Sequence, residues 1–116
     1  MQVKRIIANI ATSDQASADS FYQDILGLEL AMDHGWIRTY AGGGEMQVQV
    51  SFAKEGGSGT HVPDLSVEVD DLDEALRRVR SANIVIEYGP VSEPWGVRRF
   101  YVRDPLGRLI NLLQHG

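Results

Sequence analysis

No cysteine occurs among the 116 residues. That absence removes disulfides, thiolate zinc sites, iron–sulfur clusters and cysteine nucleophiles, so any metal would be held by nitrogen and oxygen ligands. Positive charge is also scarce. Eleven Lys and Arg stand against sixteen Asp and Glu, a net charge of −5, which argues against nucleic acid as a partner. No apolar run approaches the length of a membrane span, so no membrane partner is expected. Met1-Gln2-Val3-Lys4-Arg5-Ile6 lacks the apolar stretch and small-residue cleavage site of a secretory signal, and a cytoplasmic protein is the expectation. There is no His-x-x-x-His pair, nucleophile elbow or glycine-rich phosphate loop. What is present is ordinary globular composition, 43% hydrophobic and 23% charged, at a length that suits one domain with an unstapled core.

Two segments carry helical periodicity. From Asp14 to Leu26 the apolar residues Ala18, Phe21, Tyr22, Ile25 and Leu26 repeat on one helical face, and Gly27 is placed to close the helix. From Leu72 to Ala82 the stripe is Leu72, Ala75, Leu76 and Val79. Asp71 with Glu74 has capping-box spacing there, Arg77, Arg78 and Arg80 suit the negative end of the dipole, and Asn83 is a C-terminal cap. Strand patterns run over Val3 to Ala11, Trp36 to Tyr40, Met46 to Phe52, Leu65 to Val69, Phe100 to Val102 and Leu109 to Gln114. Gly42-Gly43-Gly44 and Asp104-Pro105-Leu106-Gly107 read as turns.

Gly56-Gly57-Ser58-Gly59-Thr60 has linker composition and lies near the midpoint. Ile10-Ala11-Thr12-Ser13-Asp14 then aligns with Val67-Glu68-Val69-Asp70-Asp71, each a strand entering a helix through a capping residue. Each half reads as strand, helix and three strands. Residues 1–116 are therefore expected to form a single α+β domain of two βαβββ modules, about 1–55 and 61–116.

The landmarks Ser20-Phe21-Tyr22-Gln23-Asp24-Ile25-Leu26-Gly27-Leu28-Glu29-Leu30, Val67-Glu68-Val69-Asp70-Asp71-Leu72-Asp73-Glu74-Ala75 and Phe100-Tyr101-Val102-Arg103-Asp104-Pro105-Leu106-Gly107-Arg108-Leu109-Ile110-Asn111-Leu112 cover nearly the whole chain. In this order and spacing they resemble the vicinal oxygen chelate superfamily of glyoxalases, bleomycin-resistance proteins and extradiol dioxygenases. The resemblance implies a curved mixed sheet around a cleft, completed by dimerisation, so a homodimer is expected.

Metal-dependent members carry His, Glu or Gln at four pocket positions. Carried onto this chain, these fall on Ile7, on Gln47 or Gln49, on Asp64 and on Asn111. A hydrocarbon at 7 and a neutral amide at 111 do not make a divalent-metal site. The expectation is no cofactor, with a divalent metal open as the alternative. A bend at Pro63 would turn His61 into the cleft; otherwise His34, His61 and His115 read as solvent-facing or capping residues.

Strand alternation places Asp64, Ser66 and Glu68 on one face, with Leu109, Asn111 and Leu113, and with Arg99, Tyr101 and Arg103. The expected ligand-binding residues are Trp95, Tyr101, Arg99, Glu68, Gln49, Asn111 and Asp64. Arg98 and Arg99 either pair with Glu93 or Glu87 or recognise a ligand anion. Trp36, Arg38 and Tyr40 alternate along one strand, where Trp36 is either a core or interface contact or part of the site. The function expected is metal-free binding of a small organic molecule, similar to the bleomycin-resistance branch. The alternative is a glyoxalase-like lyase, isomerase or dioxygenase with a rearranged or absent metal site. Catalytic residues are not assigned.

Overall fold

Asp14 and Asp71 occupy equivalent places in the internal repeat. In the computed structural model, which describes residues 1–44 and 47–116, they share nearly the same backbone angles. Asp14 has φ −137° and ψ 70°, and Asp71 has φ −144° and ψ 88°. Each stands at the N-cap of a helical segment, shortly after a strand ends.

The chain divides into two compact units, one of residues 7–62 and one of residues 1–6 with 63–116. The 7–62 unit holds the second half of β1 (Val3–Ala11), then β2 (Glu29–Asp33), β3 (Ile37–Ala41) and β4 (Gln49–Ala53) in hydrogen-bonded order β2-β3-β4-β1. The other unit holds the start of β1, β5 (Leu65–Val69), α1 (Leu72–Ser81), β6 (Tyr88–Ser92), β7 (Val97–Arg103) and β8 (Leu109–His115), with β5, β8, β7 and β6 adjacent in that order. In each repeat the first strand pairs parallel with the last, and the other pairings are antiparallel. The repeat and the mixed α+β class stand as expected. Met46, the expected start of a strand, lies outside the described residues, and β4 begins at Gln49.

The second helix follows its sequence signals closely. Asp71 accepts a hydrogen bond from the Glu74 amide at 3.1 Å, and Asn83 takes the left-handed conformation, φ 58°, after the helix ends. Leu72, Ala75, Leu76 and Val79 are buried against Val69, Phe100 and Val102, with Val67, Ile86, Ile110 and Leu112 closing the core.

The first helix departs from expectation. It is a 3-10 turn, Gln15–Ala18, followed by a π-helical turn, Asp19–Gln23, and Phe21, Ile25 and Leu26 are exposed. The repeat supplies the reason. Gln15 and Asp19 stand where Leu72 and Leu76 anchor the other helix. The Gln15 side chain donates to the Gly35 carbonyl, and Asp19 accepts from the Tyr40 hydroxyl and from Arg38 at 3.2 Å. The face that meets its own sheet is therefore largely polar. Tyr22 supplies the apolar contact, with its ring 4.8 Å from Phe52 and 6.0 Å from Tyr40. Ser51 is buried on β4, its hydroxyl 2.7 Å from that of its cross-strand partner Thr39.

Candidate functional site

The face of β5-β8-β7-β6 opposite α1 gathers most of the expected site residues, and strand register fixes their order. Ser66, Asn111, Tyr101 and Tyr88 lie in one row across the four strands. Glu68, Leu113, Arg99 and Val91 form the next row.

At one side of this face Arg99 and Glu93 make an ion pair with both side chains only 3% exposed. Arg99 Nη2 is 2.6 Å and Nε 2.8 Å from Glu93 Oε2, which also accepts from the Tyr88 hydroxyl at 3.0 Å. Three rings surround the guanidinium: Trp95 at 4.9 Å, Tyr101 at 5.0 Å and Tyr88 at 5.4 Å from centroid to Cζ. Of the two alternatives for Arg99, it takes the pairing with Glu93. Arg98 binds Asp73 at 2.6 Å, and Arg103 binds Glu87 at 2.9 Å. Local backbone requires glycine at 89. A β-carbon there would sit 2.5 Å from the Arg99 carbonyl, so only Gly89 (φ +77°) lets β6 approach β7 between Tyr88 and Val91.

At the other side Glu68 is buried among basic side chains. Its carboxylate accepts from Arg5 Nε at 2.5 Å, lies 2.9 Å from His115 Nδ1 and 3.7 Å from Lys4 Nζ. Burial alone pushes the Glu68 carboxyl up. The hydrogen bonds from His115 and Arg5, with their charges, outweigh it and hold the group below its ordinary 4.5. A depressed carboxyl stabilises the fold above the unfolded value and loses that contribution as pH falls through the native one. Urea titrations from pH 6 to pH 3 should therefore show the stability gap between the native chain and Glu68→Gln shrinking toward acid. A gap constant with pH would contradict this account of Glu68.

Asn111 lies between these clusters, 6% exposed. Its Nδ2 donates to Ser66 Oγ at 3.1 Å. Among the described residues, the buried side-chain polar atom with no hydrogen-bond partner is Asn111 Oδ1. Asp64, just before β5, accepts from the Leu109 amide at 2.8 Å, and Arg108 lies 3.8 Å away. That fastens the start of β8. Gln49 stands half-buried on β4 of the 7–62 unit.

The site expected from the sequence does not include Tyr88 or His115, which the structure places beside Arg99 and Glu68. Alternation along β8 carries the signal for His115, four residues beyond Asn111 on the same face. Tyr88 had no such signal, because its neighbours follow from the β6–β7 register. A groove of about 260 Å³ lined by Asp73, Arg98, Gln114, His115 and Gly116 lies by the start of α1, where Gln114 accepts from the Leu72 amide at 2.8 Å.

The metal positions implied by the resemblance hold poor donors. Ile7 is a buried hydrocarbon, Asp64 is bonded to backbone, and Asn111 is neutral. Among the described residues no three His, Asp or Glu side chains gather closely enough to hold a metal. This donor set does not fit a divalent ion.

Two βαβββ repeats, each with its first and last strands parallel, define a glyoxalase-like α+β protein. Residues 4–112 match the Glyoxalase/Bleomycin resistance protein/Dioxygenase superfamily, and the chain belongs to it. Solved structures agree in fold. A glyoxalase/bleomycin resistance protein/dioxygenase superfamily member from Vibrio splendidus 12B01 has TM-score 0.67 at 21% identity, covering 99% of this chain and 100% of its own. Methylmalonyl-CoA epimerase from Mycobacterium tuberculosis has TM-score 0.62 at 23% identity, covering 98% and 87%. The NAD-dependent benzaldehyde dehydrogenase structure from Legionella pneumophila has TM-score 0.74 at 13% identity, covering 97% and 100%. No curated protein matched the chain. No helix among the described residues is long and apolar enough to cross a membrane.

Proposed function

We propose that this chain is a metal-free binding protein for a small organic molecule, similar to the bleomycin-resistance branch of its superfamily. The observation that carries the reading is the donor set: a hydrocarbon, Ile7, and a neutral amide, Asn111, stand where the resemblance implies the His, Glu or Gln of metal-dependent members. The mixed face of Asn111, Tyr101, Leu113 and Leu109 suits a ligand that stacks and hydrogen-bonds. Metal analysis of the purified protein, joined to native mass spectrometry, tests it. The expected result is an organic molecule that copurifies and metal well below one equivalent. Stoichiometric Ni, Zn, Mn or Fe overturns the reading.

A metal-free isomerase, one form of the enzymatic alternative, requires an available base such as Glu68 or Asp64. Glu68 is held as a carboxylate by Arg5, His115 and Lys4, and Asp64 binds a backbone amide, so neither is poised to take a proton from a substrate.

The protein acts as a homodimer in this proposal. The exposed Phe21, Ile25 and Leu26 on the first helical segment are the kind of apolar surface that association covers. Sedimentation at micromolar concentration should give a dimer, and Ile25→Lys with Leu26→Lys should shift it toward monomer. A monomeric native chain overturns the dimer.

A further inference from the structure

Asn111 Oδ1 is a buried carbonyl oxygen without a hydrogen-bond partner, while the Nδ2 of the same amide donates to Ser66. A buried acceptor without a donor destabilises a fold, so one that persists calls for a reason. Its surroundings restrict what can satisfy it. Tyr101 faces it in register on β7, and Leu109 and Leu113 flank it along β8, all three buried. The ionised groups in the adjacent row are already neutralised, Arg99 by Glu93 and Glu68 by Arg5. A charged ligand group would find a counter-ion here only by breaking one of those buried pairs, which is costly.

We propose that Asn111 recognises an uncharged hydrogen-bond donor, the N–H or O–H of a neutral aromatic ligand such as a carboxamide or phenol, at the position where metal-dependent relatives hold an ion. This deepens the small-molecule binding reading and rests on it. The Asn111 carbonyl accepts from the ligand donor, Ser66 holds the amide in orientation, and Tyr101 with the two leucines contacts the ring. Specificity is then set by the loss incurred when a ligand lacking the donor leaves Oδ1 unpaired.

Benzamide and N,N-dimethylbenzamide share ring and carbonyl and differ in the N–H, which makes them suitable probes. Titrated into 15N-labelled protein, benzamide should bind at least tenfold more tightly. The shifts should centre on the Asn111 side-chain NH2 and the amides of Ser66, Asn111 and Tyr101. Asn111→Leu should bring the two affinities together, while the ligand-free variant keeps its Tm or gains a little because a buried unpaired amide is gone. Equal affinities in the native chain overturn the proposal, since a trapped water would then satisfy Oδ1. Tighter binding of the dimethyl compound also overturns it, because the amide would then be presenting its NH2. If neither probe binds this face but a different organic molecule copurifies, the donor proposal falls and the binding reading stands. Stoichiometric metal would remove the binding reading itself.

Discussion

Arg99→Ala is expected to lower folding stability by about 3–5 kcal/mol, with Glu93→Ala costing a similar amount, because each leaves the other charge buried and unpaired. Both side chains are 3% exposed, and the Glu93 oxygen that binds the guanidinium also holds the Tyr88 hydroxyl. Removing Arg99 further takes away the cation that Trp95, Tyr101 and Tyr88 surround, a contact worth about 2 kcal/mol when desolvated. The double variant Glu93→Leu with Arg99→Met should recover much of the loss, since apolar residues of similar size can replace a buried pair at little cost. Urea denaturation of the four proteins checks this. Single variants that lose less than about 1 kcal/mol would place the pair with weakly contributing surface ion pairs. They would also show that the rings hold their places without it.

How much of this arrangement is legible in the sequence depends on whether the signal is local. The cap at Asp71, the stripe Leu72 to Val79 and the left-handed Asn83 are each encoded within one helix, and each forms as its spacing requires. Alternation was equally informative along β5, β7 and β8. It separated Val67, Val69, Phe100 and Val102, which meet α1, from Glu68, Arg99, Tyr101 and Asn111 on the opposite face. The partners of those residues were not legible. That Glu68 meets Arg5 and His115 depends on which strands become neighbours, and that Tyr88 joins Arg99 depends on the β6–β7 register around Gly89. The burial of Ser51 was not legible for the same reason. Its buried place depends on a hydroxyl partner, Thr39, twelve residues earlier on another strand. The first helix misled more deeply. Periodicity marks an apolar stripe but does not say what covers it, and here Gln15 and Asp19 turn a polar face to the sheet instead.

That difference between the two helices sets up the other large effect. Leu72→Ala should cost about 2–5 kcal/mol, the range for removing a fully buried leucine and leaving a partial cavity. Leu72 is 0% exposed, packs in the cluster with Val69, Phe100 and Val102, and occupies the first helical position after the Asp71 cap. The surrounding side chains belong to β5 and β7, which are paired on both sides, so the site has little freedom to collapse. Ile25→Ala removes as large a side chain from the other apolar stripe, yet Ile25 is 69% exposed and should cost under about 0.5 kcal/mol in the monomer. Because the proposed dimer would cover Ile25, the comparison belongs at a protein concentration low enough to dissociate it. A second comparison at high concentration then reads the interface. A Leu72→Ala loss below about 1 kcal/mol would contradict the close packing of α1, and an Ile25→Ala loss near that of Leu72→Ala under dissociating conditions would mean that the first stripe packs as its periodicity implies. The polar face built on Gln15 and Asp19 would then not be the one that meets the sheet.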